Sequence, residues 1–263
     1  MTYETIRVGT DSRGIATVTL ARPDKHNAMN ARMIRELTEA AARLAGEPGI
    51  RAVVLAADGR TFCAGGDLGW MREQAEKDRA GKMREARALA DMLGAWNALP
   101  KPVIARVQGA AYGGGLGLMA VADIVVAAED AKFALTETRL GLVPATIGPF
   151  VVRKLGEAFA RQVFFNAKPF GPEFGLRSGL VARVAADGEL DKAVEDEAVA
   201  FLDCAPGAVA DAKALCRKLA GPDPADMAET TAAALADRWE TEEAQAGIAA
   251  FFARESPPWR RGD

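Results

Sequence analysis

The chain has 263 residues, 49% of them hydrophobic and 26% charged, the balance of a globular protein with one sizeable core rather than a disordered or fibrous chain. Its formal net charge of −3 provides no basic footprint, so no nucleic-acid partner is expected. Cys63, Cys204 and Cys216 are scattered without a C-x-x-C pair, which argues against zinc and disulfide frameworks and fits a reducing, cytoplasmic compartment.

In chain order, Met1-Thr2-Tyr3-Glu4 carries an early acid and no apolar stretch after it, so no secretory leader is expected there. Ile15 to Leu20 alternates and is rich in β-formers, and it ends at the turn signal Arg22-Pro23-Asp24. Asn30 reads as a helix cap, followed by Ile34, Leu37, Ala41 and Leu44 at helical spacing until Gly46-Glu47-Pro48-Gly49. Ala52 to Ala56 reads as a buried strand and runs into the small-residue loop Cys63-Ala64-Gly65-Gly66-Asp67. Leu89, Met92, Leu93 and Trp96 mark an amphipathic helix stopped by Pro100 and Pro102. Val103 to Val107 is the next strand; it leads through Gly113-Gly114-Gly115 to a short helix, Leu116 to Ala122, and a strand, Ile124 to Ala127. This order predicts an α/β protein with repeated right-handed crossovers.

Beyond Pro144 helical patterns dominate, and strand material is confined to Leu180–Val184. The chain therefore divides into an α/β core over residues 1–184 and a helical part over 185–263. Nowhere does an apolar run approach the ~18 residues of a membrane span, and no membrane partner is expected. In the tail, Leu235, Trp239, Ile248, Phe251 and Phe252 need either a partner surface or their own core.

The chemistry starts with exclusions. There is no G-x-S-x-G, H-E-x-x-H or G-x-x-x-x-G-K-[ST], which removes the serine-hydrolase elbow, the zincin site and the Walker loop. His26 is the only histidine, so most catalytic triads are out of reach, and no metal site is expected. Gly115-Leu116-Gly117-Leu118-Met119-Ala120 formally matches a dinucleotide fingerprint. Its helix is too short, and the acid that should follow the second strand falls at Glu129 or Asp130 rather than Glu137.

Two glycine loops remain, each following a buried strand. The second opens directly into a helix whose first N–H groups lack acceptors and carry partial positive charge. Brought together, two such loops would form an oxyanion hole.

Phe62-Cys63-Ala64-Gly65-Gly66-Asp67-Leu68, Pro100-Lys101-Pro102-Val103-Ile104-Ala105, Gln108 to Gly115 and Asp123-Ile124 resemble the crotonase (enoyl-CoA hydratase/isomerase) superfamily. Phe133-Ala134-Leu135-Thr136-Glu137 and Gly141-Leu142-Val143-Pro144 continue that pattern, and Arg22-Pro23 with Asn27-Ala28-Met29 match its early turn. The resemblance covers nearly the whole chain. It implies a crotonase ββα spiral with a C-terminal helical trimerisation part, an acyl-CoA thioester as substrate, no cofactor beyond that coenzyme A, and a homotrimer or dimer of trimers.

Carried over position by position, the resemblance puts the oxyanion amides on Gly66 and Gly114 and a catalytic carboxylate on Glu137. It puts Lys25, His26, Ala64, Asp67 and Leu68 beside the substrate. The family's other catalytic glutamate falls on Gly117, which argues against a two-glutamate hydratase. Asp67-Leu68-Gly69-Trp70-Met71 and Thr136 to Ala145 are similar to bacterial methylglutaconyl-CoA hydratases, which also carry glycine at the position of Gly117. That likeness implies hydration of a branched glutaconyl-CoA, with Arg139 as the partner of its far carboxylate. A crotonase-fold isomerase, decarboxylase or thioester hydrolase stays open at this point, as does a non-catalytic binding protein.

Overall fold

The structure is a computed structural model describing residues 2–260. Strands β1 (Ile6–Thr10) and β2 (Ile15–Leu20) form an antiparallel hairpin. Helix α1 (Ala31–Gly46) follows, and the Asn30 side chain accepts a hydrogen bond from the Met33 N–H. That cap, typically ~1 kcal/mol, starts a helix whose buried face includes Ile34, Leu37, Ala41 and Leu44.

The next segments repeat a strand–strand–helix unit. The units are β3 (Ala52–Ala57), β4 (Thr61–Cys63) with α2 (Leu68–Glu76) and α3 (Arg79–Ala98); β5 (Val103–Val107), β6 (Ala110–Tyr112) with α4 (Gly114–Val121); and β7 (Ile124–Ala128), β8 (Phe133–Ala134) with α5 (Gly148–Phe164). After α6 (Pro172–Ser178), strand β9 (Arg183–Ala185) completes a six-stranded sheet in the order β1-β2-β3-β5-β7-β9, parallel from β2 onward. The second strand of each unit enters a separate three-stranded sheet, β4-β6-β8, also parallel.

Sequence reading assigns no strand to β4, β6 or β8. At two or three residues each they are too short for a periodicity of two to register, and only their pairing defines them. Leu180 and Val181, read as strand, are buried but precede β9.

The main core lies between the large sheet and α1, α3 and α4. Trp96 is fully buried there, and its Nε1 donates to Leu37 O at 3.1 Å, so the largest core side chain leaves no polar atom unpaired. Helix α7 (Leu190–Ala200) covers the other face of the sheet through Leu190, Ala193, Val194 and Ala198. Helices α8 (Pro206–Leu219), α9 (Ala228–Trp239) and α10 (Glu242–Ala253) complete the chain.

Of the two fates open to the tail, its own core accounts for most of the apolar groups. Helix α9 runs along α3, and Trp239 and Ile248 are buried with Leu142 and Ala244. Leu235 and Phe252 pack against that cluster, while Phe251 remains partly exposed. Among the described residues no helix is long and apolar enough to cross a membrane, and no His/Cys/Asp/Glu group could hold a metal.

Candidate active site

Because β4, β6 and β8 are parallel neighbours, the three segments leaving their C-terminal ends meet at one edge of the small sheet. From β4 comes Ala64-Gly65-Gly66, from β6 comes Gly113 and the start of α4, and from β8 comes Leu135-Thr136-Glu137. Gly65 has φ +92° and Gly113 has φ +47°, a region in which only glycine is unstrained. A Cβ on Gly65 would stand 3.2 Å from Tyr112 O, and one on Gly113 would stand 3.2 Å from Glu137 Oε1. The glycines therefore let the two loops and the carboxyl close on a single point.

Further bonds fix this arrangement. Met29 N donates to Gly65 O at 2.7 Å, Asp67 N donates to Met29 O at 2.8 Å, and Gly113 N donates to Ala134 O at 3.0 Å. Among the described residues, the N–H groups of Gly66 and Gly114 have no protein acceptor. Gly114 is the first residue of α4, where an N–H is free by helix geometry and the helix dipole adds positive potential. Both donors adjoin a cavity of about 450 Å³ whose lining is largely apolar and includes Met29, Ala64, Leu68, Trp70, Leu142 and Trp239.

Glu137 begins the 3-10 turn Glu137–Leu140 and lines the same cavity. The residue is half-buried, but its Oε2 is shut off from solvent and has no hydrogen-bond partner. Burial pushes its acid up from 4.5 to about 7, against the smaller opposing pull of backbone hydrogen bonds from Glu137 and Thr136. A carboxyl balanced near neutrality can both take and return a proton.

Gly117 lies inside α4 and is buried. A Cβ there would stand 2.8 Å from Ile147 Cγ2 and 3.4 Å from Leu93 Cδ1. Ile147 itself lines the cavity, so an aliphatic side chain fills the space next to Gly117. Glu137 is thus the carboxyl that lies beside the glycine loops.

Not every residue expected at the substrate reaches the cavity. Ala64, Leu68 and Arg139 line it. Asp67 turns away: it pairs with Arg22 at 2.8 Å and accepts from Gly69 N and Trp70 N, capping α2. Its carboxyl is held below the usual range by Arg22 and these N–H groups, against the opposing effect of burial. Lys25 and His26 are exposed on the early turn outside the cavity lining; His26 Nδ1 lies 3.2 Å from Thr61 Oγ1. Trp70, Gln74, Lys82 and Glu85 on α2 and α3, with Leu235 and Trp239 on α9, form walls that sequence reading missed. Their helices are legible in the sequence, but which face meets the cavity depends on how those helices pack.

The chain matches the family model described as enoyl-CoA hydratase/isomerase over residues 10–262. A Rhodobacter capsulatus protein named "Probable enoyl-CoA hydratase" is 36% identical over 98% of each chain. The crystal structure of an enoyl-CoA hydratase from Mycobacterium avium superposes with TM-score 0.87 at 29% identity, covering 97% of this chain and 99% of the other. Pseudomonas aeruginosa AtuE superposes with TM-score 0.80 at 35% identity, covering 98% and 100%. The spiral of paired strands with its glycine loops is the crotonase fold, and the chain belongs to the enoyl-CoA hydratase/isomerase family.

Proposed function

We propose that this enoyl-CoA hydratase acts on a branched glutaconyl-CoA thioester, with Glu137 as its acid–base group. The Gly66 and Gly114 N–H groups receive the thioester oxygen as it gains negative charge. Donors placed in advance at such a point lower the barrier because nothing reorganises as the charge develops. Ionised Glu137 takes a proton from water as its oxygen bonds to Cβ, and the electron pair of the double bond moves toward the thioester. The Glu137 carboxyl then returns that proton to Cα, so one group serves both steps. The sequence of steps is proton transfer throughout and draws on no cofactor.

Arg139 carries the assignment of the acyl group. It lines the cavity, is exposed, and has no ion-pair partner among the described residues. An arginine without an ion-pair partner at the wall of a largely apolar cavity suits a substrate carboxylate, which its guanidinium can bind through two parallel hydrogen bonds. Leaving that carboxylate unpaired in the same place would be costly.

The test is Arg139→Met assayed with methylglutaconyl-CoA and with crotonyl-CoA. The branched dicarboxylic substrate should lose at least ~10-fold in kcat/KM, about 1.4 kcal/mol, with crotonyl-CoA little changed. Equal losses on both would remove Arg139 as the selector, and a wild-type preference for crotonyl-CoA would remove the glutaconyl assignment.

A further inference from the structure

We infer that the last helix, α10, is a positioning element for the reaction, holding the turn Glu137–Leu140 so that the Glu137 carboxyl stays against Gly113. The inference rests on the reading of Glu137 as the acid–base group and adds to it the part of the chain that sets its place.

The turn is only four residues long and ends at Gly141, with φ +73°. Its internal bonds are local: Arg139 N to Thr136 O, Gly141 N to Thr138 O and Leu142 N to Glu137 O, at 3.0–3.2 Å. On its inner side the carboxyl meets Gly113; Oε2 makes no hydrogen bond, and the backbone N–H groups that act on the carboxyl, those of Thr136 and Glu137, belong to the same segment and move with it. The constraint on the outer side comes from α10. A Cβ on Gly247 would stand 2.7 Å from both C and O of Leu140, so the helix backbone lies directly on the turn backbone. One residue further on, a Cβ on Gly141 would stand 2.6 Å from Glu243 O and 2.8 Å from Ala244 N.

Two more contacts hold the helix in place. Arg238, in the last turn of α9, donates through Nε to Gly141 O and pairs with Glu243 of α10. Trp259 crowds the same face of Gly247, its Cη2 falling 2.6 Å from the point a Cβ would occupy, so the indole and the Leu140 backbone both close on this glycine. The turn cannot move outward unless α10 moves with it. Interiors packed this closely transmit displacement rather than absorb it, and misplacing a reacting group by ~1 Å can cost ~10²-fold in rate.

The other charged side chains lining the cavity are Lys82 and Glu85 of α3 and Arg139 of the turn itself. Lys82 is paired with Glu240, and Glu85 with Lys77. From α10 the lining residue is Phe251, which is uncharged. Displacing α10 therefore changes how well the Glu137 carboxyl is covered without adding or removing a charge beside it.

The experiment compares wild type, Gly247→Ala, Arg238→Gln and Arg238→Lys in kcat, KM and the pH profile of kcat/KM, with Tm recorded for each. Gly247→Ala should lower kcat ~10-fold or more with KM changed less than ~2-fold. Its acid-limb midpoint should fall toward ordinary carboxylate values as water reaches Glu137. Arg238→Gln should lower kcat in the same way but more weakly, and Arg238→Lys, which keeps both the charge and donors for Gly141 O, should recover most of the loss. Unchanged kcat and midpoint in both Gly247→Ala and Arg238→Gln would overturn the inference, as would activity losses that merely track the folded fraction. Should Gly247→Ala not fold, the Arg238 pair decides alone. Glu137→Gln run beside them separates the two levels: full turnover there defeats the acid–base reading itself, whereas an inactive Gln variant with unaffected α10 variants defeats only the positioning role.

Discussion

Glu137→Gln is expected to reduce hydration by ~10²–10⁴-fold while acyl-CoA binding stays close to wild type, because the amide keeps the shape of the carboxyl but cannot exchange a proton. Near-wild-type turnover in steady-state assays would falsify the assignment. The same residue sets the pH dependence. Attack by water needs the ionised carboxylate, and the acid is pushed up to about 7, so kcat/KM should fall as pH drops through about 7.

Stability has the opposite sign. A carboxyl whose pKa is raised by folding binds more protons in the folded state across the window from 4.5 to about 7. Its protonated form favours the fold, and that favour is lost as pH rises through the window. Above pH 7 the wild type therefore carries a penalty of about 3 kcal/mol. Glu137→Gln should relieve it, showing a higher denaturation midpoint than wild type at pH 8 and little difference at pH 4.5. A Gln variant no more stable than wild type at pH 8 would mean that the carboxyl is not desolvated.

Gly114→Pro should lower kcat by ~10²–10³-fold, the usual cost of one oxyanion-hole donor, while Gly66→Ala should be nearly silent. Proline suits the first position of a helix, where the missing N–H has no intrahelical role, so the fold should tolerate it. The added ring must displace Met29, whose Sδ would lie 3.0 Å from the new Cβ, and that methionine is flexible. Alanine at position 66 keeps its N–H, and its Cβ would meet Met71 Cγ at 3.3 Å and Trp70 Cε3 at 3.7 Å, contacts a small shift of Met71 relieves. Equal activity in the two variants would refute the pair of backbone donors.

Much of the fold was legible because its signals are local. The strands Ile15–Leu20 and Val103–Val107 appear at the bounds their alternation and apolar runs suggest, and Asn30 caps α1 as its side-chain chemistry requires. The glycine loops could be read as backbone donors because two of them follow buried strands and the second opens directly into a helix, although either alone could serve only tight strand-to-helix packing. Glu137 was different: nothing in its own spacing distinguishes it from a solvated acid, and it came into view only through the resemblance of the surrounding block.

Asp67 shows what a position in a motif leaves open. It sits beside Gly66, and its carboxyl caps α2 and pairs with Arg22, because an aspartate just before a helix meets orphan N–H groups.

By itself, then, the sequence determined the strand-and-helix order and the glycine loops, consequences of residue type over a few neighbours, while the resemblance it carries marked Gly117 as the position without a second glutamate. Only the tertiary structure decided that β4, β6 and β8 pair in parallel and deliver the Gly66 loop, Gly114 and Glu137 to one edge. It also decided that Ile147 fills the space beside Gly117 and that α9 and α10 close over a cavity whose other walls come from residues 29–147. The reason is physical: a strand of two or three residues, or one face of a helix, has no preferred partner until the core excludes water and leaves a single way to satisfy its hydrogen bonds and bury its apolar side.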